Sequence, residues 1–200
     1  DAIPLLEKAI LIEPNHANSY QNLGFALIEI GEFVKAVEVL KKAIKIQPNH
    51  VEAHFNLANV YKQMGDFKKA RMFYEKTIEI QPNNPSAFNN LANIYKQLGE
   101  FRKAIDSYNK AIQIKPNHVR AHHNLGNTYN QLGEFTKAIA SFKKSFKYQP
   151  SNLESLYMWS DLDKGILNLE LKKKIKYIMK NGNLVKKDVA YGNFLLARYE

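Results

Sequence analysis

Pro14, Pro48, Pro82, Pro116 and Pro150 stand 34 residues apart, with no insertion or deletion between them. Each closes one phrase: Ile-Glu-Pro-Asn, Ile-Gln-Pro-Asn twice, Ile-Lys-Pro-Asn, then Tyr-Gln-Pro-Ser. A fixed period of this length marks a solenoid, whose units cannot bury their apolar faces alone and must stack on neighbours. In such a chain function belongs on a recurring surface rather than in one enclosed pocket.

The prolines mark off four full units, 17–50, 51–84, 85–118 and 119–152. In the first half of each, apolar residues fall at i, i+3, i+4 and i+7, as in Phe88, Leu91, Ala92 and Tyr95, which is one face of a helix. Gly31, Gly65, Gly99 and Gly133 end that helix, where a left-handed turn is cheap only for glycine. Glu32, Asp66, Glu100 and Glu134 follow and suit the N-terminus of a second helix. That helix carries the small residues Ala36, Ala70, Ala104 and Ala138 before proline stops it. Each unit is therefore expected to be a helical hairpin and the whole an all-α solenoid. Ala2, Leu6, Ala9 and Pro14 match Ala36, Leu40, Ala43 and Pro48, so residues 1–16 read as the second helix of a truncated repeat in a fragment of a longer protein.

The pattern resembles the tetratricopeptide repeat (TPR) family. The third unit supplies that family's large residue, Leu-Ala pair, tyrosine, alanine, aromatic, alanine and proline as Phe88, Leu91–Ala92, Tyr95, Ala104, Tyr108, Ala111 and Pro116. The other units depart from it slightly: His54 and His122 take the first large position, Leu27 replaces the tyrosine, and Thr77 and Ser145 replace the last alanine. The resemblance covers residues 1–152 and implies a right-handed superhelical solenoid of antiparallel helix pairs. It is nearly silent on function, because one scaffold serves many proteins.

A second stripe runs beside the packing stripe. Asn22, Asn56, Asn90 and Asn124 recur in every unit, Asn59, Asn93 and Asn127 three residues later, and Gln63, Gln97 and Gln131 a turn beyond. In the family this chain resembles, that side of the first helix lines a concave groove. Asparagines there hold extended peptides by the backbone, as in the similar repeats of O-GlcNAc transferases. A carboxamide both donates and accepts, so it can pair with a peptide N–H and C=O whatever the side chain. Asn22, Asn56, Asn59, Asn90, Asn93, Gln97, Asn124 and Asn127 are the expected peptide-binding residues, with a peptide or protein as partner. The competing reading is that these asparagines merely solvate the surface.

Other functions find less support. The net charge of +10 invites nucleic acid, but lysines recur on the second helix (Lys35, Lys69, Lys103, Lys137; Lys42, Lys76, Lys110, Lys144), which the family places on the convex side. No aromatic platform accompanies Lys62, Lys96 and Arg120 on the inner face. His50/His54 and His118/His122 have a chelating spacing, yet His54 and His122 sit where Tyr20 and Phe88 pack. No phosphate loop or nucleophile elbow is present. No catalytic residue, cofactor or metal is expected. With no cysteine and no apolar run of about 18 residues, a reducing, cytoplasmic setting without membrane insertion is expected. Open solenoid ends can self-associate, so both a monomer and an oligomer fit the sequence.

After Pro150 the period fails. Ser155–Leu162, Leu169–Met179 and Val185–Glu200 read as helices, the last without a stop signal and the middle one followed by a turn at Asn181-Gly182-Asn183. They are expected to form a divergent helical cap or linker over residues 153–200. This succession is similar to the linker of bacterial proteins that join such repeats to a sulfotransferase domain. The resemblance implies a substrate-recruiting role in a larger enzyme, with a glycosyltransferase as another open parent.

Overall fold

Asn84 shows how a repeat begins. Its backbone is extended, and its side-chain oxygen accepts the Ala87 N–H at 2.9 Å, pairing a donor that the first helical turn leaves open. Asn152 does the same for Ser155 at 3.0 Å. His50 and His118 achieve it with a ring nitrogen, Nδ1 accepting from Ala53 and Ala121 at 3.4 and 3.3 Å. The residue two beyond each of these prolines is thus the cap of the next helix.

The computed structural model describes residues 2–199. Among them run α1 (Ile3–Ile12), α2 (Ala17–Glu29), α3 (Phe33–Ile46), α4 (Val51–Gln63), α5 (Phe67–Ile80), α6 (Pro85–Gln97) and α7 (Phe101–Ile114). Then follow α8 (Val119–Gln131), α9 (Phe135–Tyr148), α10 (Leu153–Leu162), α11 (Leu169–Asn181) and α12 (Lys186–Ala197), with one 3-10 turn at Lys164–Ile166. The described residues contain no strand. Gly31, Gly65, Gly99 and Gly133 take φ of 75–80°, and beyond the glycine and its chain neighbours no atom lies within 4 Å of where a β-carbon would sit. The backbone turn alone selects glycine there.

Residues 1–103 form one compact unit. Within it α2 packs on α3, α3 on α4, α4 on α5 and α5 on α6. Leu23, Leu40, Leu57, Tyr74, Leu91 and Ile94 belong to one core, and fully buried Ala36, Ala43 and Ala70 belong to it too, small residues where helices meet.

Residues 104–200 form a second unit, in which α8 packs on α9, α9 on α10, and α12 on both α10 and α11. Leu153, Leu156, Ile175, Ile178 and Leu195 make a core with Phe146. Helix α10 starts two residues earlier than the expected Ser155 because Asn152 caps it. Asp188 on α12 adds a carboxylate at the same end, accepting the Leu153 N–H at 3.0 Å, where negative charge suits the helix dipole. Helix α11 runs on to Asn181, into the expected turn. Helix α12 stops at Ala197, while the expected final residue, Glu200, lies outside the described residues. Arg198 then turns back to Ser160 Oγ (2.7 Å) and Asp161 Oδ1 (3.0 Å).

Gly126 on α8 stands where α4 carries Ala58. A β-carbon at Gly126 would come within 2.7 Å of the fully buried Phe142 ring, closer than packed carbon atoms approach.

Candidate functional site

In residues 1–103 Asn59, Asn89 and Asn90 form a connected set. Asn59 Oδ1 accepts the Tyr74 hydroxyl at 2.5 Å and Asn90 Nδ2 at 3.3 Å, and Asn90 Oδ1 accepts Asn89 Nδ2 at 3.1 Å. A core hydroxyl on α5 therefore positions an amide on α4, which in turn positions one on α6. Burial pushes the Tyr74 phenol far above its usual pKa, so it remains a donor at any ordinary pH. Asn56 is 8% exposed and lines a cleft of about 390 Å³ with Gln21, Phe25, Val51, Phe55 and Asn84. Asn93 is half-buried on α6, while Asn22 and Gln97 are exposed on α2 and at the end of α6.

In residues 104–200, Asn124 and Asn127 are half-buried on α8. Asn127 Nδ2 can only donate, and it lies 2.9 Å from His123 Nε2. The neutral ring proton thus sits on Nδ1, which donates to Ser155 Oγ at 2.7 Å. Ser155 donates to Ser145 Oγ at 2.9 Å, and Ser145 to the Val119 carbonyl at 3.2 Å. Glu154 Oε2 stands 3.7 Å from His123 Nε2. Serine, histidine and glutamate meet here as in a hydrolytic triad, but Ser155 is fully buried and its proton is engaged by Ser145. The group braces α8 against α10.

The other histidines are structural. Nε2 of His54 and of His122 donates to the carbonyls of Pro48 and Pro116, each at 2.8 Å. His50 Nδ1 caps α4 and its Nε2 meets Asn18 Oδ1 at 2.8 Å. Among the described residues no group of three His, Asp or Glu is placed to hold a metal. Burial lowers the pKa of His122, and burial together with Lys115 lowers that of His118. The neutral rings contribute fully above the ordinary histidine value of about 6.5, and that contribution is lost as pH falls through the lowered folded values. His122→Phe is expected to lose less stability than wild type between about pH 7.5 and 5, read from urea midpoints. Equal losses would remove this origin for the acid limb.

Several of the recurrent lysines also have partners. Lys69 pairs with Asp66 at 2.7 Å, Lys103 with Glu100 at 2.6 Å and Lys137 with Glu134 at 2.5 Å. Their ammonium groups lie 5.2–5.6 Å from the rings of Tyr61, Tyr95 and Tyr129. Tyr95 also donates to Glu75 at 2.9 Å, and burial pushes its pKa up to about 12. On α6, burial lowers the pKa of half-buried Lys96.

Sequence reasoning missed Phe25, Phe55, Asn89, His123 and the Tyr74 hydroxyl. The position before each first asparagine reads Gln21, Phe55, Asn89 and His123, so recurrence carries no signal there. The hydroxyl of Tyr74, at a position filled by Leu40 and Phe142 elsewhere, was the one available clue.

Paired helices joined by a glycine turn, with amides recurring on the first helix, define a repeat-built protein-interaction scaffold. The chain belongs to the tetratricopeptide repeat family. A profile described as TPR repeat matches residues 26–65 and 92–133. Two described as tetratricopeptide repeat match 51–84 with 119–152 and 5–38 with 73–106. Among solved structures, MamA is 27% identical with a TM-score of 0.70, covering 76% of this chain and 90% of its own. The pilF protein of Pseudomonas aeruginosa is 22% identical with a TM-score of 0.74, covering 92% and 84%. YrrB, described as a TPR protein with an unusual peptide-binding site, is 20% identical with a TM-score of 0.67, covering 98% of each chain. No curated protein matches at a significant level. Among the described residues no helix is long and apolar enough to cross a membrane.

Proposed function

We propose that the chain binds extended peptide segments of partner proteins through main-chain hydrogen bonds to the asparagines of α2, α4, α6 and α8. The observation that carries this reading is the amide chain from Tyr74 through Asn59 to Asn90, beside the cleft that Asn56 lines. It fixes carboxamides in advance, so binding does not have to order them. Asn59 keeps its Nδ2 for a peptide carbonyl, while Asn56 and the apolar Phe25 and Phe55 offer a side-chain pocket. Within residues 1–103 the contacts fall to Asn22, Asn56, Asn59, Asn90, Asn93 and Gln97, and within 104–200 to Asn124 and Asn127. The same fold serves peptide binding in YrrB. A second reading, recruitment of substrates to a linked sulfotransferase or glycosyltransferase domain, draws on the order of α10–α12 and is tested by reading the sequence beyond residue 200.

A peptide selected from a random library against the intact chain supplies the probe. Each lost amide bond is worth about 0.5–1.5 kcal/mol, so Asn56→Ala with Asn90→Ala and Asn93→Ala is expected to weaken binding by at least about tenfold. N-methylation of the peptide backbone is expected to do the same. A triple variant of intact helicity that binds unchanged removes the asparagines from the site.

A further inference from the structure

A second cleft, of about 650 Å³, lies where α9, α10 and α11 approach within residues 104–200. Its apolar walls are Phe146, Trp159, Ile166 and Leu171, and Lys143, Lys147 and Lys174 stand among them. Lys143 Nζ lies 4.9 Å from the Trp159 ring centroid and Lys174 Nζ 5.3 Å from that of Phe146. Lys69, Lys103 and Lys137 each have a carboxylate, whereas among the described residues Lys143, Lys147 and Lys174 form no ion pair. Residues 104–200 hold 16 of the 29 basic side chains but only 8 of the 19 acidic ones, so most of the net charge is concentrated here. Glu170 is the one acid on the cleft's lining.

We propose that this cleft docks an acidic peptide segment of a partner protein, with a large apolar side chain seated against Phe146 and Trp159 and flanking carboxylates on Lys143, Lys147 and Lys174. The volume suits one or two side chains rather than a folded element. Three cations on two helices, none with a carboxylate among the described residues, match several carboxylates on one segment better than a single anion. Both rings carry an ammonium group at cation–π distance, so cations stand directly beside the apolar walls, where one segment can meet both. This site is separate from the asparagine faces and does not depend on them.

The chain has one tryptophan, so its emission reports on this cleft alone. The probe is the acetylated peptide Glu-Asp-Glu-Phe-Asp-Glu-Asp, with a version carrying Gln and Asn for the acids and one carrying Gly for Phe. The acidic peptide is expected to shift Trp159 emission saturably, with an affinity that falls as salt rises. Lys143→Glu with Lys174→Glu is expected to weaken it by at least about tenfold. Lys147→Ser, which leaves both ring-seated lysines in place, is expected to give a smaller loss and keeps the test open should the double variant unfold. Either control peptide is expected to bind more weakly, and the asparagine triple variant to bind as wild type. The proposal fails if the acidic peptide leaves Trp159 emission unchanged, if the neutral peptide binds equally, or if Lys147→Ser and the folded double variant both bind as wild type. A single-stranded oligonucleotide or phosphatidylserine vesicle that binds where the peptide does not also overturns it.

Discussion

Phe142→Ala is expected to lower stability by about 3–5 kcal/mol, the range for truncating a fully buried aromatic ring. The ring fills the space that Gly126 leaves on α8 and packs 5.7 Å from the His123 ring. Gly126→Ala alone pushes a methyl into that ring, a strain of about 1–3 kcal/mol. Better helix propensity offsets roughly 0.5–1 kcal/mol of it. In the Phe142→Ala background the same methyl enters the new cavity, so Gly126→Ala should stabilise. The sign of one substitution thus reverses with its neighbour. Urea unfolding of the four proteins, followed by circular dichroism, measures the coupling. An equal cost in both backgrounds would show that the Gly126–Phe142 contact is not the reason for glycine.

The second large effect is expected at His123. Replacing it by Leu removes the donor to Ser155 and the acceptor for Asn127 while leaving both polar groups in place. A stranded buried group costs about 1–3 kcal/mol. Ser155 still donates to Ser145, so the loss should be about 2–3 kcal/mol rather than twice the single value. His123→Gln, which can both donate and accept, is expected to recover part of it. In the Ser155→Ala background His123→Leu should cost less, since one of the two stranded groups is gone. The readout is the thermal midpoint of each variant. Additive losses would mean that the two residues contribute independently and that the chain of bonds is not a unit.

These two sites show what a single sequence reveals. The proline ruler and the glycine turns marked the helices of residues 17–152 because each acts through its own backbone: proline ends a helix, and glycine alone turns left cheaply. Capping was equally local, and His16, His50, Asn84, His118 and Asn152 share one register although only spacing within the histidine pairs drew notice. What stayed hidden depends on partners distant in sequence. That Asn59 gives its oxygen to Tyr74, 15 residues on, follows from how α4 meets α5. Whether Asn127 faces a ligand or a histidine depends on Ser155, outside its repeat. The lysine-lined cleft was out of reach because α11 keeps no period with α9, so no alignment of units could bring Lys174 near Phe146.

The four turn glycines have one more use. Around each of them the position of a β-carbon is empty, so an alanine there meets only the dihedral penalty and no neighbour. The penalty should be nearly the same at Gly31, Gly65, Gly99 and Gly133. Four chains carrying one such alanine apiece therefore bear an identical local defect at four addresses. Differences among their unfolding curves report not on the defect but on where along the chain unfolding begins and how far cooperativity extends from one hairpin to the next.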